Sequence, residues 1–191
     1  MNKYIISGIL GILAMAMSCN SNNSLTKEEH IALTTLGADI TQRTTQSLQK
    51  ALKGAIDSGG IIGAIEYCNL HALEITKQAS EKKNHSIKRT ALKLRNPNNK
   101  AGVRDKMVLK MFDEAAGRGE KIGATLDLHE SGEVFYYEPI MIKSLCLNCH
   151  GEPGKDINEA TFNAIKAKYP KDKAMGYKDG DFRGLWVVKV K

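Results

Sequence analysis

The sequence predicts an α+β domain in which helices, the first of them long, flank a small antiparallel sheet. Three observations carry this. Apolar residues recur at helical spacing from Leu25 to about Ser58 and again from Ile61 to about Lys82. Between Ile87 and Arg95 the period drops to strand-like alternation. The closing segment, DGDFRGLWVVKVK, reads as a strand after an Asp-Gly turn. At 191 residues, 42% hydrophobic and 26% charged, the chain has the length and composition of one packed domain.

The N-terminus, MNKYIISGILGILAMAMSCNSNNS, precedes that domain. Lys3 stands before an uncharged, mostly apolar run from Tyr4 to Met17. The run is short for a membrane span, which takes about 20 residues, and it suits the h-region of a secretory signal. Two processing sites compete. Ala14-Met15-Ala16 is an A-x-A site, and Ala16-Met17-Ser18-Cys19 resembles the bacterial lipobox, whose cysteine becomes the lipidated first residue. The lipobox is preferred: the Asn/Ser tether after Cys19 suits a leash, and cleavage at the other site leaves a free exported thiol. The expected organisation is a signal peptide over 1–18, lipidated Cys19 with a polar tether over 19–24, and the domain over 25–191. Acyl chains would hold such an exported protein on a membrane, facing the periplasm.

Within the domain, Thr26 and Glu29 form a capping box ahead of Leu33, Leu36, Ile40, Leu48, Leu52 and Ile56. Asp57-Ser58-Gly59-Gly60 stops this helix, and Ile62, Ile65, Tyr67, Cys68, Leu73 and Ile75 supply apolar surface to the next. On the strand from Ile87 to Arg95, Arg89, Lys93 and Arg95 share one face, and Asn96-Pro97-Asn98-Asn99 turns the chain. A helix from about Gly102 to Ala116 puts Val103, Met107, Val108, Met111 and Phe112 on one side, with Met107 and Met111 expected in the core. Short extended pieces follow at Lys121–His129 and Glu133–Ile140, then a short helical segment at the cysteine motif. A helix from Ile157 to Lys168 stops before Tyr169-Pro170, and Asp179-Gly180-Asp181 turns into the closing strand.

The formal net charge of +7 falls by one when Lys3 leaves with the signal. Outside the cytoplasm such a surplus points to an acidic partner, an anionic membrane surface, an acidic prosthetic group or a solvated surface, and not to nucleic acid. The cysteines are Cys19, Cys68, Cys146 and Cys149. With Cys19 lipidated, three remain, an awkward count for a disulfide framework in an oxidising compartment.

Cys146-Leu147-Asn148-Cys149-His150 carries the chemistry. C-x-x-C-H reads as c-type haem attachment. Thiols about one helical turn apart reach two vinyl groups on one porphyrin edge, and the adjacent imidazole of His150 is offered to iron. Thioether attachment takes place outside the cytoplasm, where the signal independently places the chain. A zinc site needs four closed ligands, and only Cys68 could join the motif thiols. A redox dithiol lacks its βαβ context, and a structural disulfide is the third, equally weaker reading. The residues leave the second iron ligand open. Cys68 also reads as a small buried hydrophobe, His71 lies one turn on along the same face, and Met107, Met111, Met141 or Met175 would suit an ordinary cytochrome c.

Four segments, AIEYCNLHALEIT, IKRTALKLRNPNN, VFYYEPIMIKSLCLNCHG and YPKDKAMGYKDGDFRGLWVVKV, resemble the bacterial c-type haem domain with a PAS-like fold, in the family's order and over most of the mature chain. Ala91 stands where the family often has serine. The resemblance implies a PAS-like fold and one haem c bound covalently at Cys146 and Cys149, with His150 and Cys68 as axial ligands and His71 the rival of Cys68. Thiolate ligation favours Fe(III) and lowers the potential, and a Cys68 that leaves on reduction would open a site for CO or NO and move its helix. Arg89 and Arg95, with Lys93 beside them, are candidates for the haem propionates because a guanidinium matches a carboxylate; a solvated sheet face is the plain alternative. The expected function is a redox or gas sensor module, or alternatively a single-electron carrier at the membrane surface that meets acidic partners. A second strong ligand argues against an enzyme, which needs an open iron site flanked by acid–base groups. An unidentified redox or signalling protein is the expected partner, and the sequence leaves open a homodimer through the long first helix.

Overall fold

The structure, a computed structural model, describes residues 24–81 and 85–191. The signal-like run and the lipidation reading at Cys19 lie outside the described residues. Helix α1 (Lys27–Glu81) opens on the expected capping box: Glu29 N donates to Thr26 Oγ1 at 3.1 Å and Thr26 N donates to Glu29 Oε2 at 3.0 Å. Within α1 the two helices expected here are both present and meet at Gly60, whose φ of 65° and ψ of −167° leave the helical region, a backbone conformation open to glycine without a side-chain clash. Both arms return to one sheet face. Leu33, Leu36, Ile40 and Leu48 of the first arm and Ala79 of the second pack around Ile87, Tyr136, Trp186 and Val188.

Four antiparallel strands, β1 (Ile87–Thr90), β2 (Thr125–Leu128), β3 (Val134–Met141) and β4 (Phe182–Lys189), lie in the order β1-β4-β3-β2. Over Leu185–Val188 β4 is buried on both faces, and that stretch is continuously apolar rather than alternating. Its Trp186 and Val188 meet α1, while Leu185 and Val187 meet α2 (Val103–Gly117). α3 (Ser144–His150) and α4 (Glu159–Lys168), the latter capped by Asn158 Oδ1 on Thr161 N, gather beyond the end of β3.

Two expectations fail, each for a visible reason. The strand expected over Ile87–Arg95 ends at Thr90, so Lys93 and Arg95 do not share a strand face with Arg89. On the neighbouring strand Gly184 lies so close that an added Cβ would sit 2.3 Å from Thr90 O, and the chain turns away there. On α2 the buried residues are Asp105, Leu109 and Phe112, whereas Val103, Met107 and Met111 are exposed. Asp105 sets this rotation: its carboxylate takes Lys88 Nζ at 2.6 Å, Gly102 N at 3.0 Å and Tyr137 Oη at 3.3 Å, so a polar residue faces inward.

Candidate functional site

The seven-residue α3 sets the cysteine motif. One turn apart, Cys146 packs beside Ile142, Ala174 and Tyr177, and Cys149 beside Ile65, Ile157, Ile165 and Tyr169. Both thiols are half-buried and free. The helix ends at Gly151, where a Cβ would meet Asp156 at 2.5 Å; glycine alone lets the Asp156 carboxylate reach Glu152 N at 2.9 Å.

His150 is held in one tautomer. Its Nδ1 lies 2.7 Å from Ala174 O, and because a carbonyl only accepts, Nδ1 carries the proton and the Nε2 lone pair is left for another partner. The loop that supplies this acceptor is bound to the helix end, Gly176 N donating to Gly151 O at 2.8 Å and Tyr177 N to His150 O at 3.0 Å. Burial holds the imidazole pKa well below its ordinary value, and Arg95, Arg183 and Arg89 push it further down. The ring is therefore neutral at physiological pH, the state in which it can ligate a metal.

Arg95 ties these pieces together. Its Nη2 donates to Cys149 O at 2.5 Å, Asp172 Oδ2 at 3.1 Å and Ala174 O at 3.3 Å. The Asp172 side chain is 0% exposed, and its Oδ1 accepts from Ala174 N at 2.8 Å. One buried ion pair thus joins the last turn of α3 to the carbonyl that orients His150.

Cys68 approaches from the second arm of α1. That arm is seated by Ile65, by the Lys168–Glu66 pair at 2.7 Å and by Asn69 Nδ2 on Lys168 O at 3.4 Å. Burial raises the thiol pKa, and Arg89 and Arg95 draw it back down. Cys149 is likewise raised by burial and feels Arg95, Cys68 and Cys146. Cys68, Cys149 and His150 therefore share one electrostatic neighbourhood. Arg89 enters it from β1 with a single long bond, Nη2 to Ala72 O at 3.4 Å. Arg183 enters from β4, its Nη1 on Lys93 O at 2.9 Å and its guanidinium 5.4 Å from the Tyr177 ring centroid.

The model of the Tll0287-like domain matches residues 19–191. The chain belongs to the Tll0287-like family. Among solved structures it is similar to that of the cyanobacterial heme-protein Tll0287, at 26% identity and a TM-score of 0.56, over 82% of this chain and 94% of that one. No curated protein matches. The PAS-like α+β arrangement expected from the sequence is the one found.

In this Tll0287-like chain, Cys146, Cys149 and His150 share α3, Arg95 bonds to its last turn, and Cys68 and Arg89 lie within electrostatic reach of these groups. His71 is exposed, with its ring 4.4 Å from that of Tyr67. Met107 and Met111 are exposed, Met141 packs with the α2 core, and among the described methionines Met175 packs in the cluster that holds Cys149. Among the described residues no three His, Cys, Asp or Glu side chains converge as metal donors. The sequence reading missed Arg183, Asp172, Tyr177 and the Ala174 carbonyl. Arg183 left one signal, a guanidinium inside the apolar run FRGLWVV; a backbone carbonyl leaves none.

Proposed function

We propose that this chain carries one haem c, bound through Cys146 and Cys149 with His150 and Cys68 on the iron, and works as an exported, lipid-anchored redox or gas sensor module. The observation that carries the proposal is the His150 ring: Nδ1–H is fixed on Ala174 O at 2.7 Å, next to two free thiols one turn apart. The residues fit the group, since that tautomer leaves Nε2 as a ligand and the carbonyl behind it is the usual orienting partner of a metal-bound imidazole. The similarity to a solved heme-protein supports the same reading. When bound, the haem supplies a one-electron couple and a site for small diatomic ligands. Cys68 is the residue suited to switching: its half-buried thiol sits on an arm that is jointed at Gly60 and rests on α4 partly through a solvent-exposed ion pair. Catalysis is not assigned, because the groups around His150 are mainly guanidiniums, which do not give up protons.

The carrier alternative has an observation of its own. Val103, Met107 and Met111 form an exposed stripe on α2 beside the exposed Lys106 and Lys110, an apolar patch edged by positive charge that suits brief docking of an acidic redox partner. Optical and EPR spectra of the matured protein, oxidised and reduced, beside Cys68→Ala test both readings. A low-spin ferric thiolate signature that vanishes in Cys68→Ala, with CO binding only after reduction, is the expected result. Unchanged spectra in the variant would move the axial ligand to another residue and favour the carrier. A chain that matures without covalent haem would end the proposal.

A further inference from the structure

Three guanidiniums act on His150, and the one carboxylate paired among them, Asp172, pairs with Arg95. Asp172 is committed to Arg95 at 3.1 Å and to Ala174 N at 2.8 Å. Among the described residues neither Arg89 nor Arg183 has a carboxylate within ion-pair distance. Asp113 and Asp181 line the cleft of ≈ 450 Å³ that Arg183 and Lys93 also line, without pairing to either. Arg89 Nε is shut off from solvent with no hydrogen-bond partner. Burial lowers the proton affinity of both guanidiniums; Arg183 lowers that of Arg89 further and Cys68 opposes it, while Arg95 lowers that of Arg183 and Tyr177 and Asp172 oppose it. Leaving such charges unbalanced in a low-dielectric setting is costly unless an anion completes the site.

The placement of Arg183 is also specific. Across β3 and β4, Ile140 pairs with Gly184 and Met141 with Phe182, so Arg183 is the extra residue of a bulge. Bulges re-aim single side chains and are common beside functional sites. Here the bulged residue lies 5.4 Å from the Tyr177 ring centroid, and that ring lies 6.3 Å from the His150 ring.

Resting on the haem reading above, we infer that Arg89 and Arg183 form a two-carboxylate site that holds the haem propionates, while Arg95 serves instead as the positioning residue of α3. Arg89 and Arg183, half-buried and each without a paired carboxylate among the described residues, match in number the two propionates of a haem. Arg95 also has a partnerless Nε, but its charge is already balanced by Asp172. Lys93, exposed over the Tyr177 ring at 4.8 Å, is balanced by water.

The test is a comparison of two probes on the full chain carrying Cys146→Ala and Cys149→Ala, titrated with ferric haemin and with its dimethyl ester, which lacks both carboxylates. Haemin is expected to bind about a hundredfold more tightly than the ester, with Arg89→Gln and Arg183→Gln each losing about tenfold for haemin and nothing for the ester. Equal binding of the two probes, or equal losses for both, would overturn the assignment. On the covalently matured protein, resonance Raman propionate bending bands should shift in Arg89→Gln and Arg183→Gln and stay in place in Lys93→Gln. Unmoved bands in a haem-loaded protein refute the carboxylate site alone; a wild-type chain with no covalent haem refutes the haem reading beneath it. Melting of the apo chain serves as the folding control, since there the same substitutions remove an uncompensated charge and should leave stability equal or higher.

Discussion

Replacing Asp172 by asparagine separates charge from shape at the centre of the site. The amide oxygen can still accept from Ala174 N, as Asp172 Oδ1 does at 2.8 Å, but its NH2 group then faces the Arg95 guanidinium. Breaking a buried pair by removing one partner costs about 3–5 kcal/mol. Arg95 keeps 14% of its side chain exposed against 0% for Asp172, so about 3 kcal/mol, the low end of that range, applies. For a domain of this size that corresponds to a melting temperature lower by about 6–12 °C. Thermal and urea unfolding of the full chain measure it. The exposed Lys168–Glu66 pair is the control, and Glu66→Gln should leave the transition where it is. A second readout follows from geometry: with Arg95 released from Ala174 O, the His150 ring loses its fixed orientation, and the ferric EPR spectrum of the loaded protein should broaden. A loss below about 1 kcal/mol, the level of a surface pair, with an unchanged spectrum would refute the claim that this pair frames α3.

Three further outcomes are expected. Leu109→Ala, at a side chain 0% exposed, should cost about 3 kcal/mol by urea denaturation, while Met107→Ala on the exposed face of the same helix should stay within about 0.5 kcal/mol. Gly37→Ala would put a Cβ 2.2 Å from the buried Tyr136 ring, so α1 must lift from the sheet at a cost of about 1–3 kcal/mol, read as a lower denaturant midpoint. Arg104 forms a fork on Asp127, Nε to Oδ2 and Nη2 to Oδ1, both at 2.5 Å, and this pair chiefly lowers the Asp127 pKa. A depressed carboxylate pKa stabilises the fold above the group's ordinary value and ceases to do so as pH falls through the folded value. Arg104→Ala should therefore melt slightly below wild type at neutral pH and together with it in strong acid.

Features written in contiguous residues were legible. The Thr26–Glu29 box, the Gly60 break, the C-x-x-C-H helix and the apolar closing strand each declare themselves within a few positions, because the interaction that forms them spans one turn or one strand. The facing of α2 was not legible, since the buried positions Asp105, Leu109 and Phe112 include a carboxylate that any apolar template assigns to solvent. Its partners Lys88 and Tyr137 come from two different strands.

The division of labour among the arginines depends on tertiary structure in the same way. Alternation placed Arg89, Lys93 and Arg95 on one strand face, and that expectation assumed β1 continued to Arg95. Gly184 decides otherwise: its backbone presses on Thr90 O, an approach that an added Cβ at 2.3 Å would forbid, and β1 ends there. The freed segment lets Lys93 O receive Arg183 and lets Arg95 reach the carbonyl of Cys149. The same glycine flanks the bulge that gives Arg183 its direction. Gly184→Ala should accordingly do more than destabilise the sheet. By forcing β1 and β4 apart it should displace Arg95 and Arg183 together, so the His150 spectrum of the loaded protein and the haemin preference over its ester should change in one variant. A Gly184→Ala chain that lost stability but kept both readouts would show that the cluster is positioned by α3 and its loop, and not by the sheet edge.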